Sequence, residues 1–172
     1  MLTKALNDVQ TIIDKKNTKA AKEEMEILVK VKENLDKSIN VRDVDWSMKE
    51  IEYLNTNLYF TSKPVIYLVN IGRDEYIKKQ NKYLPKIAEW IKNHGGGPML
   101  PFSAAFEKEV VDMCDGNIEA EMRNKVAADL GAQCMINKII GCGYKTLRLI
   151  HFFTAGKDEV KCWTVREGWK AP

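Results

Sequence analysis

Two turns in the sequence carry residue types that suit recognition of a purine base. Asn70 follows the apolar run SKPVIYLV at 62–69, and Ser103 and Ala104 follow the next apolar run. Ligands of open α/β sheets bind at the carboxyl ends of the strands. An asparagine amide offers a donor and an acceptor, as N7 and the exocyclic group of a purine require. We therefore expect a base-binding set of Asn70, Ile71, Ser103 and Ala104.

A strand-ending asparagine also has a purely structural interpretation. Asp74 and Glu75 lie in the first turn of the next predicted helix, so the Asn70 side chain could instead cap that helix. The ordered pair of turns favours base recognition, but the capping interpretation stays open on sequence alone.

The sequence lacks the residues that hold the phosphates of a nucleotide. No G-x-x-x-x-G-K-[ST] segment occurs. The glycines at 95–97 follow a predicted helix and are typical of a helix end. GCGYKT at 141–146 has Tyr144 where a phosphate loop needs glycine. We expect no catalytic residue, no metal ligand and no hydrolysis by this chain alone.

The composition is typical of a soluble, cytoplasmic protein. The chain has 172 residues, of which 45% are hydrophobic and 30% are charged. The net charge of +3 gives no reason to expect sequence-specific DNA binding. We expect no membrane segment or signal peptide, because no apolar run approaches the roughly 20 residues of a span. Cysteines that form no C-x-x-C pair are expected to be reduced thiols.

Residues 1–45 are predicted to form a helical hairpin. Apolar residues recur at helical spacing over 2–13 and 25–35, and the polar segment KKNTK at 15–19 separates them. Two amphipathic helices joined by a short polar turn indicate an antiparallel pair. Its lysine-rich face could contact a partner such as ribosomal RNA, or could simply be solvated.

The segment from 64 to 102 predicts a parallel βαβ unit. The β-branched run at 64–69 is typical of a buried parallel strand, and a second short strand is expected at 98–102. The helical pattern between them begins at Asp74, and Pro85 should kink or split it. Strand, helix and strand in this order imply a parallel sheet.

Helices are expected on either side of this unit. A capping box, Ser47 with Glu50, should start one before the first strand, continuing through Leu58. The segment 104–150 is predicted to be mostly helical. Breaks are expected near 114–117, at Gly131 and at Gly141. Two β-strands should follow, at 151–154 and 160–165, as the opening of a β-rich domain.

Four stretches resemble the Obg-like ATPase family, also called YchF, of the P-loop GTPases. They are WSMKEIEYLNTNLYFTSKP (46–64), YLVN (67–70) with YIKKQNKYLPKIAEW (76–90), PFSAAFE (101–107) and FFTAGKDEVKCWTVREGWKAP (152–172). The resemblance implies an α/β fold that contains part of a P-loop NTPase parallel sheet. Three domains are implied: an inserted helical hairpin (1–45), the C-terminal part of the nucleotide-binding domain (46–150) and the start of a truncated TGS domain (151–172).

The resemblance also implies an activity and partners. It implies ATP binding and slow hydrolysis with Mg²⁺ in the intact protein, a cytoplasmic location and association with the ribosome. The base motif of the family is N-x-x-E, whereas this chain has Arg73 at the acidic position. An arginine cannot accept hydrogen bonds from guanine N1 and N2, so ATP is favoured over GTP. We expect the Arg73 side chain itself to lie in solvent.

Two functional hypotheses follow. In the first, the chain is a fragment of an Obg-like ATPase that supplies base recognition but no phosphate binding. In the second, it is a non-enzymatic module that binds the ribosome or another protein. A two-stranded sheet would leave a strand edge open, so self-association through that edge, or partial disorder, is also expected.

Overall fold

The structure, a computed structural model, describes residues 2–57, 59–115 and 119–170. The chain divides into two compact units, residues 1–64 and 65–172. The elements are α1 (Leu2–Lys16), α2 (Lys19–Asp36), α3 (Met48–Asn57), β1 (Tyr67–Asn70), α4 (Arg73–Lys78), α5 (Leu84–Asn93), β2 (Met99–Phe102), α6 (Ala104–Met113), α7 (Ala120–Asp129), α8 (Ile136–Thr146), β3 (Leu149–Ala155) and β4 (Val160–Arg166). No helix in the described ranges is long and apolar enough to cross a membrane.

The first unit contains the predicted pair of helices. Asn17 takes a left-handed φ of 45° after α1, and the Thr18 side chain then accepts a hydrogen bond from the backbone N–H of Ala21 at the start of α2. Apolar stripes of both helices pack with residues from α3 and its flanking turns. The buried residues of this core are Val9, Ala21, Leu28, Val31, Val41, Leu54 and Tyr59.

The predicted capping box at the start of α3 is confirmed. Ser47 donates its backbone N–H to Glu50 Oε2 at 2.6 Å, and Ser47 Oγ accepts from the backbone N–H of Glu50 at 3.4 Å. Lys30 Nζ of α2 donates to Glu50 Oε1 at 2.9 Å, so the box also ties α3 to the hairpin. The helix is described to Asn57, and its predicted continuation through Leu58 lies outside the described residues.

The second unit contains the predicted parallel strand pair. β1 and β2 run in parallel, with Tyr67 opposite Met99 and Asn70 opposite Phe102. The first strand begins at Tyr67, later than expected, because Pro98 has no N–H to continue the ladder beyond its carbonyl contact with Tyr67. The expectation that β1 is a buried strand is wrong, since Leu68 is 47% exposed.

The helical segment between the strands is split where proline predicted it. α4 ends at Lys79, which has a left-handed φ of 53°, and α5 begins at Leu84 with Pro85 in its first turn. A proline is tolerated there because the first N–H groups of a helix have no intrahelical acceptor. The glycines at 95–97, all with positive φ, follow the end of α5 as expected.

The three helices after β2 match the expected breaks at two places and differ at a third. α6 ends at Met113, beside the break predicted near 114–117, of which 116 and 117 lie outside the described residues. Gly131, with a φ of +87°, follows α7 as predicted. The predicted break at Gly141 is wrong, because α8 continues through it. The helix contains two glycines, Gly141 and Gly143, and each costs about 1 kcal/mol relative to alanine, which weakens a helix without necessarily ending it.

The two expected strands at the end of the chain are present and antiparallel. Leu149 lies opposite Arg166, and Ala155 lies opposite Val160. Nearly every residue of this hairpin is exposed on both faces. The assignment of the hairpin to a TGS domain, and the domain boundaries after 45 and 150, remain predictions.

Candidate functional site

The two turns picked out from the sequence meet at one edge of the parallel sheet. Asn70 ends β1 opposite Phe102, which ends β2. Asn70 Oδ1 accepts a hydrogen bond of 3.0 Å from the backbone N–H of Ala104, the first residue of α6. The backbone N–H of Ile71 donates to the carbonyl of Phe102 at 2.9 Å. Parallel pairing therefore brings residues 31 (Ile71 and Phe102) and 34 (Asn70 and Ala104) positions apart into direct contact.

Ser103 takes part in this site through its position at the start of α6. The residue is fully buried, and its Oγ accepts a hydrogen bond of 3.4 Å from the backbone N–H of Phe106. The hydroxyl is therefore occupied by the helix that it caps. Ala104, which follows it, is exposed, and Ile71 is half-buried. All four expected base-contacting residues thus lie in the two adjacent turns.

The interpretation of Asn70 as the cap of the following helix is wrong. The residue at the N-cap position of α4 is Gly72, and no side chain caps that helix. Asn70 is exposed and joins β1 to the start of α6 instead. Its Nδ2 makes no hydrogen bond to any residue in the described ranges. One half of the amide is therefore fixed by the protein, and the other half is available to a ligand.

Arg73 does not extend into solvent as expected. Its guanidinium binds both carboxylate oxygens of Glu109 on α6, with Nη2 3.0 Å from Oε1 and Nε bonded to Oε2. Nη1 also donates to Asp74 Oδ1 at 3.2 Å. The bond to Arg73 lowers the pKa of Glu109 below its ordinary value. The expectation failed because an acceptor on another helix, 36 residues away, cannot be located by residue type alone.

Below the turns, a buried carboxylate connects α6 to the start of α8. Glu107 is 6% exposed and accepts hydrogen bonds from Cys134 Sγ and from the backbone N–H of Met135. Burial, together with the Glu107 contact, raises the pKa of the Cys134 thiol. The Tyr76 ring of α4 packs against Phe106 with 5.3 Å between ring centroids.

This buried support was missed from the sequence. An acidic residue in the first turn of a helix usually faces water and interacts favourably with the helix dipole. Only its place in PFSAAFE could have marked Glu107 as a core residue. The contacts of Glu107 fix α6, which in turn carries Ser103 and Ala104.

The described residues offer nothing that would hold phosphates or a metal ion. Within the described ranges, no three His, Cys, Asp or Glu side chains converge on one point. The segment 141–146, which ends in Lys-Thr, lies inside α8 rather than in a strand-to-helix loop.

Comparisons with known proteins give one consistent result. The chain is 43% identical to Obg-like ATPase 1 of Caenorhabditis elegans over 97% of its own length and 41% of that protein. It is 40% identical to human Obg-like ATPase 1 over 100% of its own length and 43% of that protein. The YchF GTPase of Schizosaccharomyces pombe superimposes with a TM-score of 0.82 at 37% identity, covering 99% of this chain and 45% of that one. No protein-family model matches the chain.

The fold and these similarities relate the chain to a class of GTPases and ATPases. Within that class, the chain is a homologue of the Obg-like ATPases, the YchF family, over nearly its whole length. It spans about two fifths of the length of the curated relatives that it matches.

Proposed function

We propose that this chain supplies the purine-recognition part of an Obg-like, ATP-binding P-loop protein. One observation carries the proposal: Asn70 at the end of β1 bonds the first residue after the Ser103 turn at 3.0 Å and keeps Nδ2 available. The sequence relates these two loops only through their order along the chain. In the fold they are in contact at the edge where α/β sheets bind ligands.

The asparagine amide is suited to a purine edge. Nδ2 would donate to N7 of the base. Oδ1 has a second lone pair, beyond the one used by Ala104, that can accept from an exocyclic amine. Ile71 would contact the ring, and the backbone of the Ser103–Ala104 turn would close over the base. Holding Oδ1 in place before binding limits the rotamer entropy lost when the base arrives.

The charges near the site support adenine over guanine. Guanine presents donors at N1 and N2, which a carboxylate at position 73 would accept. Arg73 stands there, and it is bonded to the two nearby carboxylates, Glu109 and Asp74. The acceptor that guanine N1 and N2 would need at position 73 is therefore missing, so ATP is the proposed nucleotide.

Phosphate and Mg²⁺ binding are proposed for the intact protein and not for these residues. Hydrolysis needs cationic groups around the γ-phosphate in the transition state, and this sequence contains no G-x-x-x-x-G-K-[ST] loop. Residues 1–172 alone should therefore release no phosphate from ATP above buffer background. Turnover that survives removal of contaminating ATPases and co-purifies with the chain would contradict this expectation.

The test of base recognition is a titration with adenosine, which has no phosphates. Shifts of the Asn70 side-chain amide and of the Ala104 amide would be followed by ¹H–¹⁵N NMR in residues 1–172. Asn70→Ala should weaken binding by about 1–3 kcal/mol, since it removes the polar partner of the base. Asn124→Ala, at an exposed asparagine of α7, is the matched control. Equal affinity of the wild type and Asn70→Ala would refute the base-reading role.

A second candidate function, a ribosome- or protein-binding module, is favoured by the exposed aromatic residues at the end of the chain. Phe153 is 68% exposed on β3, and Trp169, just after β4, is 71% exposed. Contiguous exposed apolar patches mark interaction surfaces, and these two side chains are candidates for part of one. Co-sedimentation with ribosomes, compared between the wild type and Phe153→Lys, tests it. Undiminished co-sedimentation of the variant would remove the hairpin from that role.

A further inference from the structure

The first residue of α4 connects the two base-contacting turns by a second route. Arg73 lies three residues after Asn70, and Glu109 lies five residues after Ala104. The guanidinium of Arg73 donates hydrogen bonds to both oxygens of the Glu109 carboxylate, through Nε and Nη2. The turns at 70–72 and 103–104 are thus bridged twice, once by the Asn70 amide and once by this ion pair.

We infer that the Arg73–Glu109 pair is a latch that positions the Asn70–Ala104 contact and thereby shapes the base site. This inference rests on the proposed function and concerns a positioning residue, because Arg73 acts through Asn70 and does not face the base. This inference replaces the expectation that the Arg73 side chain lies in solvent.

The ion pair adds an orienting contact to the Ile71–Phe102 backbone bond and to the packing of Tyr76 on Phe106. α4 has only six residues, and its N-cap, Gly72, supplies no capping side chain. The Asn70–Ala104 bond is exposed, so alone it contributes about as much as an ordinary solvent-competed hydrogen bond. A bidentate arginine–carboxylate pair restricts orientation as well as distance. It can therefore hold the short helix, and the turn before it, against α6.

The latch depends on the opposite charges of its two residues. An acidic residue at position 73 would face Glu109 and repel it. We therefore expect Arg73→Glu to open the turn rather than to create a guanine contact. The exchanged pair, Arg73→Glu with Glu109→Arg, should close the turn again.

Hydrogen exchange of the Ala104 amide measures the latch directly. Arg73→Ala and Glu109→Gln should each accelerate exchange of this amide by about threefold, the range of a partly exposed ion pair. Arg73→Glu should accelerate it further, and the exchanged pair should return it toward the wild-type rate. Lys108→Ala is the matched control, because it removes an exposed ion pair with Asp112, 2.8 Å long, on the same helix. It should leave Ala104 unchanged.

Adenosine titration adds a readout that stability alone does not move. Arg73→Ala should raise the dissociation constant by about threefold, and the exchanged pair should restore it. A lower melting temperature in Arg73→Ala, with unchanged Ala104 exchange and unchanged adenosine affinity, would show that the pair is only structural and would overturn the latch.

The two proposals fail in different ways. If the wild type binds adenosine and Asn70→Ala weakens binding while Arg73→Ala leaves it unchanged, base reading stands and the latch fails. If the wild type shows no adenosine-dependent shift at Asn70, the proposed function fails. In that case the exchange of Ala104 still supports or overturns the latch as a device that holds the turn.

Discussion

The two sheets of this protein have two strands each, yet they differ in how they are supported. β1 and β2 are parallel, and α4 and α5 lie between them in the chain. β3 and β4 are antiparallel and joined by a short turn, with both faces exposed. The parallel pair depends on distant helices for its geometry, while the antiparallel hairpin is defined by local pairing.

That difference in strand pairing explains why the polar groups of the candidate site lie at one end of the parallel pair. Parallel strands end at the same edge, so Asn70 and the Ser103 turn converge, and α6 then needs buried contacts to hold them there. In an antiparallel hairpin, the carboxyl end of one strand lies beside the amino end of the other, so the two carboxyl ends do not meet. Its side chains instead form open surfaces suited to a partner. The comparison predicts that equal substitutions have unequal effects in the two regions.

The largest effect is expected for paired phenylalanine truncations. Phe106→Ala empties a fully buried position on α6 and should cost about 3–5 kcal/mol of unfolding free energy. Phe153→Ala in β3, where the ring is 68% exposed, should cost less than about 0.5 kcal/mol. Urea unfolding followed by circular dichroism measures both. Similar losses of unfolding free energy in the two variants would show that Phe153 of β3 is buried in solution. That result would contradict the proposed difference between the two sheets.

A smaller difference is expected for paired glutamates. Glu107→Ala leaves the Met135 N–H and the Cys134 thiol without their acceptor in a buried place, which should cost about 1–3 kcal/mol. Glu159→Ala at the β3–β4 turn removes an exposed ion pair with Lys161 and should change stability by less than about 0.5 kcal/mol. The same unfolding experiment measures both. A Glu107→Ala variant as stable as the wild type would remove Glu107 as the support of the site.

The reliable sequence predictions were those that depend on residues close together in the chain. The capping box at Ser47 and the split at Pro85 depend on neighbours a few residues away, and both are present. The parallel order of β1 and β2 followed from their separation by helical sequence. The predicted break at Gly141 was wrong because an interior glycine weakens a helix without ending it, and α8 runs through both Gly141 and Gly143.

Contacts between distant segments could not be read in the same way. The sequence placed Asn70 near the Ser103 turn because parallel strands share an edge. It could not locate Glu109 as the partner of Arg73 or place Glu107 in the core, since each depends on how α6 is rotated against its neighbours. Position along a strand is encoded locally, whereas the rotation of a packed helix is set by the whole core.

A third difference concerns self-association. β1 pairs only with β2 among the described residues, which leaves a strand edge open, and open edges recruit further strands. We expect sedimentation to show reversible association at micromolar to millimolar concentration. Leu68→Lys on β1 should weaken it by about tenfold, or 1.4 kcal/mol, because lysine opposes edge pairing. Phe153→Lys should leave it unchanged. The reverse ranking of the two variants would assign association to β3–β4 instead.

The smallest predicted effect is the pH dependence of the latch. Glu109 is faced by Arg73 and Asp74 of α4, and Arg73 dominates by lowering its pKa. A carboxylate whose pKa is lower in the folded state contributes stability that is fully present above its unfolded pKa of about 4.3. That contribution is lost as the pH falls through the lower folded value. Ala104 amide protection should therefore decline in acid below about pH 4.3.

The control for this dependence is Glu109→Gln, which cannot titrate at that position. Its Ala104 protection should begin lower than that of the wild type at neutral pH, and the two should converge as the wild-type carboxylate becomes protonated. Amides of β3–β4 lie away from this pair and supply the internal reference. If wild type and Glu109→Gln lose Ala104 protection in parallel, a different group controls the turn. In that case the difference between the parallel pair and the antiparallel hairpin would not depend on the Arg73–Glu109 ion pair.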